Sequence, residues 1–400
     1  MDQRWLLLAA AGVFACGGSM RTRTAHKTPA NEVRASSEVA GSQQSDVGNP
    51  FVGATYFVNP DYASRLESAA STHPGEAAAI RKLAHVPTAV WLDTIERAQG
   101  VSSVLQTAAQ QAAGGPPALT VFVVYDLPNR DCSAKSSGGE LSTEAGGEQR
   151  YKSEFIDKIA EQFAAFPEQR IAVVLEPDSL PNLATNMNVP RCAQSDGVYR
   201  RSVAYAISKL ALPNVSIYLD AAHAGWLGWD ANRTKIAKIF KDVLSLAGGA
   251  HKIRGFSTNV SNFNTLSGAE GKRLGASNPC PDELTYVAKL GESLQREGIA
   301  GKQFIIDTAR NGRAVRSSWG NWCNIKGAGL GERPQAGPAR GVDAYFWIKP
   351  PGESDGVSDP KQPRYDASCS SQDSSPNAPQ AGQWFESYFV DLVKNASPAL

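Results

Sequence analysis

Seven short β-rich runs in this 400-residue chain each end on a group that can move a proton or hydrogen-bond a hydroxyl: Asp93, Asp126, Asp178, Asp220, Asn259, Asp307 and Lys349. Carboxylates gathered at strand ends suit general acid–base chemistry, in which one group must be kept protonated by burial or by a neighbouring carboxylate. Two other chemistries fit less well. Gly352-Glu353-Ser354-Asp355-Gly356 has the spacing of a nucleophile elbow, but Pro360 and Pro363 follow where that turn needs an immediate helix. A metal-dependent hydrolase would need clustered ligands, and the 5 histidines and 6 cysteines show no zinc-type spacing.

The runs that would carry these groups are residues 88–92, 119–126, 171–176, 215–220, 253–259, 303–307 and 342–349. Segments with helical periodicity lie between or after them at 151–166, 199–210, 231–246, 282–297 and 383–395. Strand and helix alternating in this way predict parallel strands joined by crossover helices, and a β/α barrel collects its active site at the C-terminal strand ends. Seven runs rather than eight imply an incomplete barrel with an open cleft. A doubly wound open sheet is the alternative, and it lacks the nucleotide fingerprint that would accompany it.

The charges nearly cancel at +1 and 42% of the residues are hydrophobic, which allows a large core and gives no basic excess for nucleic acid. Residues 1–18 read as an export signal, because the apolar run 6–15 is too short to span a bilayer and ends in small residues. Cys16 lies in a stretch similar to a lipoprotein processing site, although Phe14 fits that pattern poorly; a lipid anchor at Cys16 and plain cleavage both stay open. Residues 19–48 have the Ser-, Thr-, Ala- and charge-rich composition of a disordered linker, and 49–400 read as one domain with no repeat and no integral membrane span. Export makes disulfides the default among Cys132, Cys192, Cys280, Cys323 and Cys369, and the odd number leaves at least one thiol free.

Longer motifs sit on these strand ends: Tyr125-Asp126-Leu127-Pro128-Asn129-Arg130-Asp131-Cys132, Glu176-Pro177-Asp178-Ser179-Leu180, and Tyr218-Leu219-Asp220-Ala221-Ala222-His223-Ala224-Gly225-Trp226-Leu227-Gly228-Trp229. Trp322-Cys323-Asn324 and residues 349–356 extend the series. In order and spacing the set resembles glycoside hydrolase family 6, covering residues 49–395. The resemblance implies an α/β fold, a distorted seven-stranded parallel β/α barrel of the TIM type. It also implies a secreted, inverting β-1,4-glucanase that acts on cellulose and cello-oligosaccharides with water as nucleophile and no cofactor.

The resemblance assigns Asp178 as general acid and Asp131 as its supporting carboxylate. Asp355 matches the candidate base, and a water chain through Ser137 and Asp131 is the other account. Tyr125 matches the residue that helps distort the sugar at the cleavage point. Trp91, Trp226, Trp229 and Trp322 match sugar-stacking tryptophans, since an indole face offers apolar area to a glucose ring. His223, Asn259, Lys349 and Glu353 match residues that bind glucose hydroxyls, with Asp93 beside them. Asp220 either binds sugar or orders His223.

Cys132–Cys192 and Cys323–Cys369 match the two family disulfides, which leaves Cys280 free. The chain departs from the family pattern at Ala222, at Pro351, and at Gly138-Gly139, a pair expected to loosen the Ser137 loop. The long stretch 355–382 looks like a tunnel roof, so the implied mode is a cellobiohydrolase releasing cellobiose from non-reducing ends. An endoglucanase of the same family is the runner-up, and a non-catalytic glucan-binding protein would have lost the acid.

Overall fold

The computed structural model describes residues 48–400 except Ala276; the expected signal, linker and Cys16 anchor lie outside the described residues. Nine strands form one sheet: β1 (Thr55–Tyr56), β2 (Val90–Leu92), β3 (Ala118–Val124), β4 (Arg170–Leu175), β5 (Val215–Asp220), β6 (Gly255–Thr258), β7 (Gln303–Asp307), β8 (Gln335–Ala339) and β9 (Val342–Phe346). The seven runs expected from the sequence are β2 to β7 and β9, and they run parallel in the order β2-β3-β4-β5-β6-β7-β9. A single parallel bridge between Thr88 and Trp347 joins the two ends of this series, with Ala89 N–H donating to the Trp347 carbonyl at 3.1 Å. The sheet therefore curls into the distorted barrel of the family, held at the seam by one bridge rather than a ladder.

Two strands were not expected. β1 pairs with β3 over two residues, and β8 is an antiparallel edge strand against β9. Gly337 and Pro338 in β8 mask its strand character, and an edge is where a sheet tolerates proline.

Every residue of β3 is buried, because the strand packs on two cores. Leu119, Val121 and Val123 point into the barrel with Phe51, Ala172, Val174, Ile305 and Phe346. Phe122 and Val124 point outward onto the helices, among them Phe163, Ile207 and Phe240. The period-2 alternation of one strand thus divides the core into an inner and an outer layer. Where β6 meets β7 the backbones crowd so closely that a Cβ on Gly255 would lie 1.7 Å from the Gln303 carbonyl oxygen.

Helices Pro190–Leu210, Asp230–Leu246 and Glu283–Arg296 pack on the outer layer close to their expected places. The helix expected over 151–166 is interrupted at its start by a π-helical turn, Tyr151–Ile156. That turn seats the Tyr151 hydroxyl 2.8 Å from Glu176 at the end of β4. Among the described residues no helix is long and apolar enough to cross a membrane.

Candidate active site

In the segments that follow the strands the backbone repeatedly enters the left-handed region: φ is +52° at Asp131, +51° at Glu176, +64° at Asp178, +51° at Ala222, +61° at Asn259 and, in the loop between β7 and β8, +44° at Asn324. Asp and Asn tolerate this conformation; Glu and Ala hold it at a cost of about 1–3 kcal/mol each, which the surrounding packing must offset. The consequence at Asp178 is chemical. It stands at the N-cap of helix Ser179–Thr185, where an aspartate normally accepts an amide N–H, yet its side chain makes no capping bond. Its carboxyl faces a cavity of about 350 Å³ instead.

Asp131, from the loop after β3, lines the same cavity. Burial, then the charges of Asp131 and Asp220, hold the Asp178 carboxyl well above the usual carboxylate range. Burial raises Asp131 to about 6, against the opposing pull of a Ser137 hydrogen bond and of Arg130. Asp220 is buried and rises to about 7 through desolvation. Three carboxylates are thus crowded where only some of them can be ionised together.

Asp220 touches neither the cavity nor His223. One of its oxygens accepts the backbone N–H of Asp178 (3.0 Å) and of Ala222 (3.1 Å), so it fixes the turn that carries the acid candidate. His223 lies between two asparagine amides, with Asn262 Nδ2 3.0 Å from Nε2 and Asn264 Nδ2 2.8 Å from Nδ1, and a neutral ring can accept a hydrogen bond from only one of them. Arg316 holds the oxygens of both amides, so their nitrogens face the ring. Burial and the Arg316 charge push the imidazole pKa well down, and the histidine is neutral.

On the wall formed by β2 and β9, Trp91 stands edge-on to Tyr125 with ring centroids 5.6 Å apart, and Lys349 Nζ lies 5.1 Å from the Trp91 ring. Lys349 is 3.7 Å from Glu353, and Asp93 pairs with Arg97 at 3.0 Å. Asp355 is buried and salt-bridged to Arg310 (2.8 Å); the Asn324 N–H donates to the same carboxylate oxygen at 2.8 Å. Ser354 is buried and donates to the Pro379 carbonyl at 2.9 Å, with no helix after it. The elbow-like spacing is therefore structural.

Two loops meet above the cavity. Asp366, within residues 355–382, accepts the Lys135 N–H from the loop after β3 at 3.1 Å. Gly356 packs so tightly on that loop that a Cβ would lie 2.7 Å from both Ser136 Cβ and Cys369 Sγ. The base of 355–382 is pinned by a Glu353–Trp384 bridge and by the Cys323–Cys369 disulfide. Cys132–Cys192 ties the loop after β3 to helix Pro190–Leu210, and Cys280 is a buried free thiol. Both pairings are those the resemblance implies.

The sequence matches the family described as Glycosyl hydrolases family 6 over residues 51–396. The chain belongs to that family. It is 41% identical over 360 residues to Exoglucanase 3 of Agaricus bisporus, which covers 89% of this chain and 81% of that protein. A 1,4-β-D-glucan cellobiohydrolase C of Emericella nidulans is 42% identical over 88% of this chain and 79% of its own length. The solved structure of cellobiohydrolase II (Cel6A) from Humicola insolens, in complex with glucose and cellotetraose, superposes with a TM-score of 0.84 at 40% identity, covering 88% of this chain and 100% of that one.

As a family 6 glycoside hydrolase, the chain brings Asp178, Asp131, Asp355, Tyr125, Ser137, Trp91, Asp93, His223, Trp226, Trp322, Lys349 and Glu353 to one cavity. Three residues expected there are elsewhere. Asn259 is fully buried, its amide donating to the Asn264 and Asp307 carbonyls and accepting from Asn264 N–H, so it binds loops rather than sugar. Trp229 precedes helix Asp230–Leu246, is partly exposed outside the lining of this cavity, and donates through Nε1 to the Ser277 carbonyl. Asp220 does not line the cavity and accepts the Asp178 and Ala222 N–H groups instead.

Sequence reading passed over Arg130, Asn262 and Trp319, all of which line the cavity. Arg130 binds the carbonyls of Asp93 (2.6 Å), Tyr125 (2.5 Å) and Ser137 (2.8 Å) and lies over the Tyr125 ring at 4.5 Å. Its place inside the Tyr125–Cys132 motif was the available signal. Gly139 packs on Arg130, where a Cβ would stand 3.0 Å from Nε, so this glycine allows the Ser137 loop to lie close to the guanidinium.

Proposed function

We propose that this enzyme hydrolyses the β-1,4 bonds of cellulose and cello-oligosaccharides with inversion at the anomeric carbon, as a cellobiohydrolase. The observation that carries the reading is the placing of Asp178 and Asp131 together in one cavity walled by Trp91, Trp226 and Trp322, where burial raises the Asp178 carboxyl above the usual carboxylate range. In this mechanism Asp178 gives its proton to the leaving glucosyl oxygen, which otherwise departs as an alkoxide. Tyr125 stays a neutral phenol, because burial and the neighbouring Asp131 raise its pKa, and it packs against the ring being cleaved. Water attacks the opposite face of that ring, and its proton passes to Asp355 or, through Ser137, to Asp131. The tryptophans supply apolar area to successive glucose rings, and Lys349, Glu353 and Asn262 supply hydrogen bonds to hydroxyls.

Contact of the Asp366 and Gly356 region with residues 135–136 supports the chain-end mode, since a roofed cleft admits a polymer by its end. The two disulfides fit an exported protein. We infer an extracellular location on that basis, and the mass of the mature N-terminus decides between plain cleavage and lipidation at Cys16.

The test of mode is to follow soluble sugar from cellulose alongside the viscosity of carboxymethyl cellulose. Cellobiose should dominate while viscosity falls slowly. A rapid fall in viscosity at low sugar release would replace the chain-end reading with an endoglucanase.

A further inference from the structure

The cleft does not stop at Trp91. A second cavity of about 270 Å³ opens behind it, and Trp91, Arg97, Glu353 and Gly382 line both spaces. Its outer wall is the first turns of helix Pro60–Thr72, which present Asn59, Asp61 and Arg65. Asp61 and Arg65 stand four residues apart and so share a helix face. Both side chains are exposed and, among the described residues, neither has a hydrogen-bond or ion-pair partner, while the Asn59 side-chain oxygen accepts the Asp61 N–H at 3.0 Å. Solvent-facing donors and acceptors around one indole form the kind of surface on which a sugar ring can replace water: carboxylates accept from hydroxyls, a guanidinium and an amide donate, and the indole covers C–H faces.

We propose that this rear cavity is a glucosyl-binding subsite that holds a third unit of the β-1,4-glucan on the Trp91 side of the cleaved bond. The inference rests on the proposed hydrolysis and adds to it. In the proposed hydrolysis Tyr125 packs on the ring at the cleavage point and Trp91, edge-on to Tyr125, serves the next ring; the rear cavity adjoins Trp91 on the side lined by Asn59, Asp61 and Arg65. A chain that fills it is cut one unit later, so the enzyme releases cellotriose as well as cellobiose.

The experiment uses the full chain and cellohexaose labelled at its reducing end, with unlabelled products separated by chromatography. The wild type should yield unlabelled cellotriose beside cellobiose. The double variant Asp61→Ala/Arg65→Ala should lower the cellotriose-to-cellobiose ratio by roughly fivefold or more, the loss expected for about two hydrogen bonds. Arg65→Trp, which fills the cavity and leaves the Asn59 cap intact, should move the ratio the same way. Cellobiose alone from the wild type, or an unchanged ratio in both variants, would overturn the subsite and leave the hydrolytic reading standing. No cleavage of cellohexaose would remove both.

Discussion

Replacing Asp131 by Asn should move the alkaline limb of the pH–activity profile to lower pH. The limb reports loss of the proton that Asp178 must donate, and after burial the charge of Asp131 is the largest influence raising that proton's affinity. A unit charge a few ångströms away is worth roughly 2–4 kcal/mol at an effective dielectric of about 20, or about 2 pKa units. Asn keeps the size of Asp131 and loses the charge, so Asp178 releases its proton earlier and the limb should fall by about 1–2 pH units. Asp131 itself titrates near 6, so the difference between the two proteins should open above that pH and close below it. The assay is kcat/KM on cellotetraose from pH 4 to 9 for both proteins. A variant whose alkaline limb stays in place, with activity reduced uniformly, would refute the electrostatic role of Asp131.

Other outcomes follow from the same geometry. Asp178→Ala should lose at least about 10²-fold in turnover of unactivated cello-oligosaccharides while calorimetry still detects their binding. Thermal stability should be greatest in mild acid and decline from about pH 5 to 9, because burial raises Asp131 to about 6, Asp220 to about 7, Glu283 to about 8 and Asp126 to about 9. Groups with raised folded pKa values contribute stability that is present below their unfolded pKa near 4 and lost as pH climbs through the folded ones; a Tm that rises over this range contradicts the assignment. Gly356→Ala should prise the roof from Ser136 and accelerate the viscosity drop of carboxymethyl cellulose, and an unchanged rate would show that this contact does not control mode. Ala222→Gly should stabilise the fold by up to about 1 kcal/mol in chemical denaturation, since φ of +51° strains alanine and not glycine.

The barrel was legible because its strands are continuous apolar runs, such as Ala118–Val124, each ending on a polar group. β8 was not, since an edge strand carrying Gly337 and Pro338 has the composition of a loop. Helix Pro60–Thr72 was also passed over, although Asn59 as cap and Pro60 in the first turn signal a helix start. Motif positions line the cavity where the side chain leaves the strand end directly, as at Asp178 and Lys349. Elsewhere the local backbone decides whether a motif side chain lines the cavity. At Asn259, where φ is +61°, the amide is bound to the neighbouring loops, and Trp229, just before a helix, is partly exposed outside the cavity lining. Asp220 matched a motif and supports the site from below, through two backbone N–H groups that no spacing announces.

The measurement that bears most directly on the account is the anomeric form of the first product. Cellohexaose hydrolysis followed by proton NMR within the first minutes should show the α anomer of the newly formed reducing end appearing ahead of mutarotation, as single displacement by water requires. Initial release of the β anomer would mean a covalent glycosyl-enzyme, and the assignment of Asp178 as acid to a water nucleophile would be wrong.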